Sequence, residues 1–229
     1  MCSAVWNFHE DGYELGFNRD EKWSRPISRD PQMEWDHPVP GICARDGRGG
    51  GTWLFTNQYG TTLAVMNAYP GGVIPPPGKM SRGMLPLIAA AHASASEIRK
   101  ALFMETDWHQ FAPCQLLLIS PGCLMHFAWD GLAFVGLPQP EQDFLTTSSV
   151  ATEAVKAARI SRFGQIASLP IASILDDEIA AAAPFAIHVT REDGGTVSQT
   201  KVVVGAHEIH FVSKRRSGSP REILIPRNS

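Results

Sequence analysis

The sequence predicts an α+β fold in which antiparallel sheets are layered with helices. The chain has 229 residues, of which 44% are hydrophobic and 19% charged, so we expect a globular protein with a large core. Predicted strand pairs lie at both ends of the chain, and predicted helices lie between them. Sheets covered by helices are the layered arrangement that buries such elements. Because no linker or repeat interrupts this order, we expect one domain over residues 1–229.

Two β-hairpins are predicted in the first third of the chain. Apolar and polar residues alternate on both sides of Asp11-Gly12, a dipeptide typical of tight turns. A second pair of strand-like segments turns at Tyr59-Gly60. Between the hairpins, the polar residues 19–51 are predicted to form a long connection, and connections of that length are often functional. The predicted strands cover residues 3–8, 13–17, 52–55 and 62–66.

Helices are predicted from Ala-rich or amphipathic segments in the rest of the chain. Ser81 is the predicted N-cap of the first of them, and Glu97 and Arg99 contribute to the polar face of the second. Pro121-Gly122 predicts the turn of a further hairpin. The predicted helices cover residues 84–93, 96–104, 151–163 and 174–183, and the predicted strands cover residues 116–119, 124–129, 185–190, 196–204 and 208–213.

Charge and cysteine content narrow the class of protein. The net charge of −3 gives no electrostatic reason to expect a nucleic acid partner. No segment approaches the roughly 20 apolar residues that a membrane span requires, and no secretory signal precedes the first strand, so we expect a cytoplasmic protein. The four cysteines form no C-x-x-C pair, which predicts free thiols in a reducing compartment.

Cys2 is the cysteine whose position indicates chemistry. A small second residue permits removal of the initiator methionine, which would leave Cys2 with both a thiol and a free α-amine. The pKa of an α-amine is roughly 7.7–8.0, which suits a general base at neutral pH. One residue could then supply the nucleophile and the base that activates it. The alternative is that Cys2 packs as a small apolar side chain.

The motif Asn18-Arg19-Asp20-Glu21 directly follows the second predicted strand, one hairpin away from Cys2. Arg19 would favour the thiolate of Cys2, and Asp20 could orient the α-amine by accepting a hydrogen bond. The alternative is a surface turn stabilised by mixed charges.

Several short motifs, taken in order, resemble the NRDE family, whose eukaryotic members are called transport-and-Golgi-organisation proteins. The most specific of them lie between Cys2 and Asn67. Together the motifs span nearly the whole chain. They are Met1-Cys2, Asn18-Arg19-Asp20-Glu21, Gly50-Gly51-Thr52-Trp53-Leu54, Leu63-Ala64-Val65-Met66-Asn67, Ser81-Arg82-Gly83 and Thr196-Val197-Ser198-Gln199-Thr200.

The resemblance implies an αββα sandwich similar to the N-terminal-nucleophile (Ntn) hydrolases, in particular the branch with penicillin V acylases and bile-salt hydrolases. By that likeness Cys2 is the nucleophile, Arg19 and Asp20 support it, and Asn67 donates its amide to the oxyanion. The second active-site asparagine of the acylases is replaced by Thr147-Ser148-Ser149, and their distal arginine has no assigned counterpart. The implied binding residues are Asn18, Glu21, Trp53, Ser148 and Ser149.

Two functions follow as expectations. The first is a cofactor-free cysteine amidohydrolase or acyltransferase that cleaves an amide or thioester bond through an acyl-Cys2 intermediate. The second is a non-catalytic protein that binds haem or an acyl lipid such as acyl-CoA in the same cleft. Trp23, Trp35 and Trp53 flank this site and would line an apolar acyl pocket, with core or loop packing as the alternative that is favoured for at least two of them. No metal site is expected, because His207 and His210 would point to opposite faces of a strand. The oligomeric state is left open.

Overall fold

The computed structural model describes residues 2–178 and 184–228, and strands dominate this part of the chain. Its three α-helices are α1 (Ala95–Met104), α2 (Thr152–Ile166) and α3 (Ile171–Leu175). Its strands are β1 (Cys2–His9), β2 (Gly12–Lys22), β3 (Pro31–Glu34), β4 (Gly41–Ala44), β5 (Leu54–Asn57), β6 (Thr62–Asn67), β7 (Cys114–Ser120), β8 (Cys123–Trp129), β9 (Phe134–Leu137), β10 (Phe144–Thr147), β11 (Gly194–Val204), β12 (Glu208–Arg215) and β13 (Arg221–Pro226).

The strands form two antiparallel sheets that pack face to face. A six-stranded sheet has the order β10-β1-β2-β11-β12-β13, so it combines both ends of the chain. A seven-stranded sheet holds β3 to β9 in sequence order, as a meander. Their facing sides bury one continuous apolar cluster, which includes Trp6, Leu15 and Phe17 from one sheet and Leu54 and Leu117 from the other. Alternate residues of each strand therefore point into this core.

Helices cover the outer face of each sheet. α2 and α3 pack on the six-stranded sheet through a cluster that contains Val5, Phe163 and Ile174. α1 packs on the seven-stranded sheet, where Ile98 and Leu102 are buried. The result is the predicted α+β fold, an αββα sandwich. Among the described residues, no helix combines the length and apolarity that crossing a bilayer requires.

The Ala-rich segment predicted as a helix over residues 84–93 is instead a 3₁₀ helix, Arg82–Ala90. Pro86 lies inside it, and proline lacks the N–H that an α-helix needs at that position. Ser81 caps the segment as predicted, because its hydroxyl accepts a hydrogen bond from the N–H of Gly83. The following helix, α1, agrees with its prediction and begins with a capping box at Ser94.

Tertiary pairing changes several other predicted boundaries. Residues 19–51 are not one long connection, because β2 continues to Lys22 and β3 and β4 pair within this segment. Residues 185–190 form no strand and contribute only an isolated bridge, Thr190 to Gly195. The helix predicted over residues 174–183 begins earlier, as α3, and residues 179–183 lie outside the described residues. The short strands β9, β10 and β13 were not predicted, since their pairing partners are set by the fold.

Gly16 lets α3 approach the six-stranded sheet. A Cβ at this position would lie 2.5 Å from Cγ2 of Ile171 and 3.0 Å from Cδ1 of Leu175. We therefore expect Gly16→Ala to lower the free energy of unfolding by about 1–3 kcal/mol, through overpacking. Urea denaturation measures this change. Gly136→Ala is the matched control in β9, where the nearest atom would be 4.0 Å away, and its effect should stay within about 0.5 kcal/mol. Equal effects of the two variants would contradict this account.

Candidate active site at the start of the first strand

Cys2 lies at the beginning of β1, between two neighbouring strands. It pairs with Thr147 of β10 on one side and with Arg19 of β2 on the other. The side chain is 8% exposed and faces a cavity of about 250 Å³ that opens between the ends of the two sheets. The same cavity is lined by Arg19, Asp20 and Asn67, so three of the residues predicted to act with Cys2 lie around one space.

The alternation of side chains along β2 divides the Asn-Arg-Asp-Glu motif. Arg19 pairs directly with Cys2 in the register and shares its face of the sheet. Asn18 points the opposite way, where its amide donates to the carbonyl oxygens of Leu175 and Ile187 at 2.8 and 3.1 Å. The prediction that Asn18 is a binding residue is therefore corrected: it anchors the α3 region to the sheet and lies outside the cavity.

Asp20 contacts both Cys2 and a second polar network. Its main-chain N–H hydrogen-bonds to the Cys2 thiol, which favours the thiolate. One carboxylate oxygen accepts a hydrogen bond from the Thr196 hydroxyl at 2.7 Å, and the other lies 3.7 Å from the guanidinium of Arg159. Asp20 thus supports the site from within the sheet.

Arg19 belongs to a separate ionic network at the mouth of the cavity. It donates to Asp46, and Arg25 donates to both oxygens of Asp46 at 2.9 Å each. Glu21 joins this network through Arg25 at 3.4 Å and also lines the cavity. Burial would raise the pKa of Asp46, but the hydrogen bonds from Arg25 and from the N–H of Gly49, with the charge of Arg19, bring that pKa to about 2. Asp46 therefore stays ionised and holds both arginines in place.

The electrostatic environment of Cys2 has opposing contributions. Burial raises the pKa of the thiol most strongly, and the charge of Asp20 raises it further. The positive charges of the chain terminus and of Arg19 lower the pKa, but burial prevails. A neutral thiol is thus the resting form, and nucleophilic chemistry requires a base that removes its proton.

Arg159 is the site residue that sequence reasoning missed. Its guanidinium is fully buried beneath β1, where it donates to Thr146 at 3.0 Å, to the carbonyl of Pro184 at 2.8 Å and to Ser3 at 3.3 Å. Burial lowers the pKa of Arg159, and the charges of Asp20 and Cys2 act in the opposite direction. Its position in the predicted helix over residues 151–163 could have identified it, because it lies on the apolar face of that helix. A charged residue on a buried face requires a buried partner.

The other predicted polar residues, Asn67, Ser148 and Ser149, lie in two places. Asn67, at the end of β6, donates its amide to the hydroxyl of Tyr69 at 3.2 Å, and Ser149 also hydrogen-bonds to Tyr69. Burial raises the pKa of the Tyr69 hydroxyl, so it stays protonated and can donate. Ser148 instead donates to the carbonyl of Val150 at 2.7 Å and lies outside the Cys2 cavity.

The three tryptophans predicted around the site have different environments. Trp53 lines the cavity, its ring lies 4.9 Å from the Arg19 guanidinium, and its N–H donates to Thr200. Trp23 lines an adjacent cavity, on the other side of Arg19. Trp35 is 67% exposed and does not line the Cys2 cavity, so its predicted role as a pocket residue is corrected.

Comparison with known proteins identifies the family. The family model described as Transport and Golgi organisation 2 matches residues 1–129, which is more than half of the chain. The chain belongs to this family. The assignment agrees with the resemblance carried by the Cys2 to Asn67 motifs. Comparison with curated protein sequences gives no match.

Solved structures similar to this member of the Transport and Golgi organisation 2 family are Ntn hydrolases. A mutant conjugated bile acid hydrolase from Clostridium perfringens has a TM-score of 0.59 at 8% identity, over 100% of this chain and 97% of that chain. A Caenorhabditis elegans ortholog of N-acylethanolamine-hydrolyzing acid amidase has a TM-score of 0.53 at 11% identity, over 89% and 92%. At these identities the likeness shows the Ntn-hydrolase-like fold alone.

The low pKa of Asp46 predicts a pH-dependent contribution to stability. A carboxylate whose folded pKa lies below its unfolded value stabilises the protein above the unfolded pKa, and loses that effect as the pH falls through the folded pKa. We expect Asp46→Asn to cost about 1–2 kcal/mol at pH 6, with the difference from wild type shrinking between about pH 4 and pH 2. Urea denaturation across this range measures it. Asp36→Asn, at an exposed position, is the control and should change little. A pH-independent difference would contradict the prediction.

The buried pair of Arg159 and Asp20 predicts a large, non-additive effect on stability. Arg159→Met should lower the free energy of unfolding by about 3–5 kcal/mol, because it removes the buried cation that faces the Asp20 carboxylate. Adding Asp20→Asn should recover part of that loss, since the uncompensated charge is then removed. Thermal and urea unfolding of the single and double variants measure the coupling. Arg99→Met on the exposed face of α1 is the control, and additive losses would contradict a buried ion pair.

Proposed function

We propose that this protein is an Ntn-type cysteine hydrolase or acyltransferase that acts on an amide or thioester bond through an acyl-Cys2 intermediate. The observation that supports it is the position of Cys2, at the beginning of a strand and on a cavity also lined by Arg19, Asp20 and Asn67. The Ntn-hydrolase-like fold is consistent with this chemistry, and the residues named here carry the argument. The expected partner is a small acyl or amide substrate.

The proposed reaction begins with removal of Met1, which frees the α-amine of Cys2. That amine takes the thiol proton, and the thiolate attacks the carbonyl carbon of the substrate. The Asn67 amide would donate to the oxyanion in place of its present bond to Tyr69, a contribution typically worth about 10²–10³ in rate. The C–N bond then breaks, and the leaving amine takes the proton from the Cys2 ammonium. Water or another acceptor finally attacks the thioester carbonyl while the Cys2 amine takes its proton. The C–S bond breaks, the acyl product leaves, and the proton returns to the Cys2 sulfur.

A second cavity next to the Cys2 cavity has the properties of an acyl subsite. Its volume is about 480 Å³, and it shares Asp20, Asn67 and Arg82 with the Cys2 cavity. Its apolar lining includes Ile74, Val150 and the prolines 75–77, and charged side chains such as Lys22, Arg191 and Asp193 line the same cavity. Apolar walls beside a polar reacting centre suit an acyl group whose carbonyl must reach the nucleophile.

The same observation favours the second candidate, binding of an acyl lipid without turnover. In that case the apolar walls would hold the chain, and the raised pKa of Cys2 would leave the thiol inert. Haem fits this cleft poorly. Within the described residues, its lining contains no histidine, and Arg19, Arg25, Arg82, Asp20, Glu21 and Asp46 place charged groups where an apolar macrocycle would lie.

The decisive test is intact-protein mass spectrometry of the untagged chain with a fluorescent N-acyl amide library. We expect a mass without Met1, one acyl adduct that maps to Cys2, and turnover that Cys2→Ala abolishes while substrate still binds. Cys123→Ala is the matched control, because Cys123 is the most exposed of the four thiols, and it should leave turnover unchanged. A chain with an uncleavable N-terminal extension should also lose turnover, since its Cys2 amine is blocked.

Each proposal has an outcome that contradicts it. Turnover that persists in Cys2→Ala excludes the acyl-Cys2 mechanism. Saturable acyl-lipid binding that is unchanged by blocking Cys2, with Met1 retained and no adduct formed, would favour the binding protein. The cytoplasmic location also stays a prediction, which fluorescence microscopy of a C-terminal fusion would test.

A further inference from the structure

The cavity that Trp23 lines, on the other side of Arg19 from Cys2, is distinct from the proposed acyl subsite. Its charged lining consists of arginines. It has a volume of about 180 Å³ and is enclosed by β2, the segment that follows β2, and the end of β12. Among the described residues it is lined by four arginines and by no carboxylate or histidine. We call this cavity the arginine annex. Its arginines are Arg19, Arg25, Arg215 and Arg216.

The annex adjoins the Cys2 cavity through shared side chains. Arg19 and Arg25 line both the annex and the Cys2 cavity. A group bound in the annex would therefore contact the same guanidinium groups that border the Cys2 cavity. Both arginines are held by Asp46, which leaves their positions defined before any ligand arrives. Guanidinium groups fixed in this way lose little side-chain entropy when they bind an anion.

Trp23 forms a rigid wall of the annex and supports Arg216. Its N–H donates to the carbonyl of Arg191 at 3.0 Å, and its ring packs so closely on Gly195 that a Cβ there would lie 2.7 Å from it. The Arg216 guanidinium stacks on the ring at 3.8 Å from the centroid. The backbone N–H of Arg216 also bonds to Val197, so this side chain extends from a fixed point.

The charges around the annex are not balanced. Arg19 and Arg25 share Asp46 and contact Glu21, and Arg215 pairs with Asp30 at 2.9 Å. Among the described residues Arg216 pairs with no carboxylate, although it faces the annex. Four guanidinium groups therefore meet three carboxylates, none of which lines the annex. An anion in the cavity would complete the network.

We propose that the arginine annex binds the anionic group, a carboxylate or a phosphate, of the molecule that occupies the Cys2 cavity. This inference deepens the proposed function, on which it rests, by assigning an anionic substrate class. Planar guanidinium forks bind either anion in bidentate fashion, and the cavity has room for such a group and a few waters. Neutral acyl amides would bind the apolar part of the cleft alone and gain nothing from the annex.

The test uses the full chain with Cys2→Ala, which cannot turn over, and isothermal titration calorimetry at low salt. The probes are octyl phosphate, octanoate and 1-octanol, which share one alkyl chain. We expect the anions to bind at least tenfold tighter than octanol, and Arg216→Ala to weaken them by about fivefold to tenfold without changing octanol binding. Arg216→Glu should weaken them further. A loss confined to octyl phosphate identifies the phosphate, and a comparable loss for octanoate identifies the carboxylate.

Arg99→Ala is the matched control, because Arg99 also lies over an aromatic ring, that of Phe103, but far from the site on α1. It should leave all three affinities unchanged. Two results would contradict the proposed anion site. One is anion binding that neither Arg216 variant weakens, and the other is octanol binding that Arg216→Ala weakens as much as anion binding. Because the assay needs no turnover, it separates the two proposals. If the anions bind selectively but no acyl-Cys2 adduct or turnover is found, only the proposed reaction is contradicted. If turnover is found but the anions bind no more tightly than octanol, only the proposed anion site is contradicted.

Discussion

The alternation of side chains along β2 is the constraint on which the site depends. β2 is held between β1 and β11, so its register cannot shift by one residue without moving every side chain to the opposite face. Arg19 consequently faces the cavity beside Cys2, whereas Asn18 faces the helices. Two neighbouring residues of one motif thereby serve two layers of the sandwich, one chemical and one structural.

This division produces two ionic networks that contact Cys2 from opposite sides. Beneath the sheet, Asp20 is paired with the buried Arg159, which reaches it from α2. At the cavity mouth, Asp46 holds Arg19 and Arg25. The first network is buried and costly to disturb, and the second is partly open to solvent and to ligands. The position of Cys2 is thus supported independently of the charged groups at the cavity mouth.

The layered fold and the first hairpins could be predicted, because alternating patterns encode them locally. Proximity of Arg19 and Asp20 to Cys2 was expected from one short motif, and a place for Asn67 beside them was expected only from the family resemblance. Asp46 and Arg159 could not be predicted, since their partners come from distant segments that meet only in the folded sandwich. The edge strands β9 and β13 lack a strong pattern because one side of each is exposed. An α-helix is predicted over residues 84–93 because of their Ala-rich composition. The segment Arg82–Ala90 is a 3₁₀ helix, and the prediction did not take account of Pro86 inside it.

The strand order has a consequence for synthesis of the chain. β1 pairs with β10, and β2 pairs with β11, so the sheet that carries Cys2 is completed only by strands from the far end of the sequence. The seven-stranded meander, by contrast, consists of neighbouring strands and can form while translation continues. A nascent chain therefore exposes the Cys2 thiol on an unfinished hairpin until β10 and β11 leave the ribosome. The buried environment of Cys2, with Arg19 and Thr147 paired on either side, therefore exists only after these strands have paired.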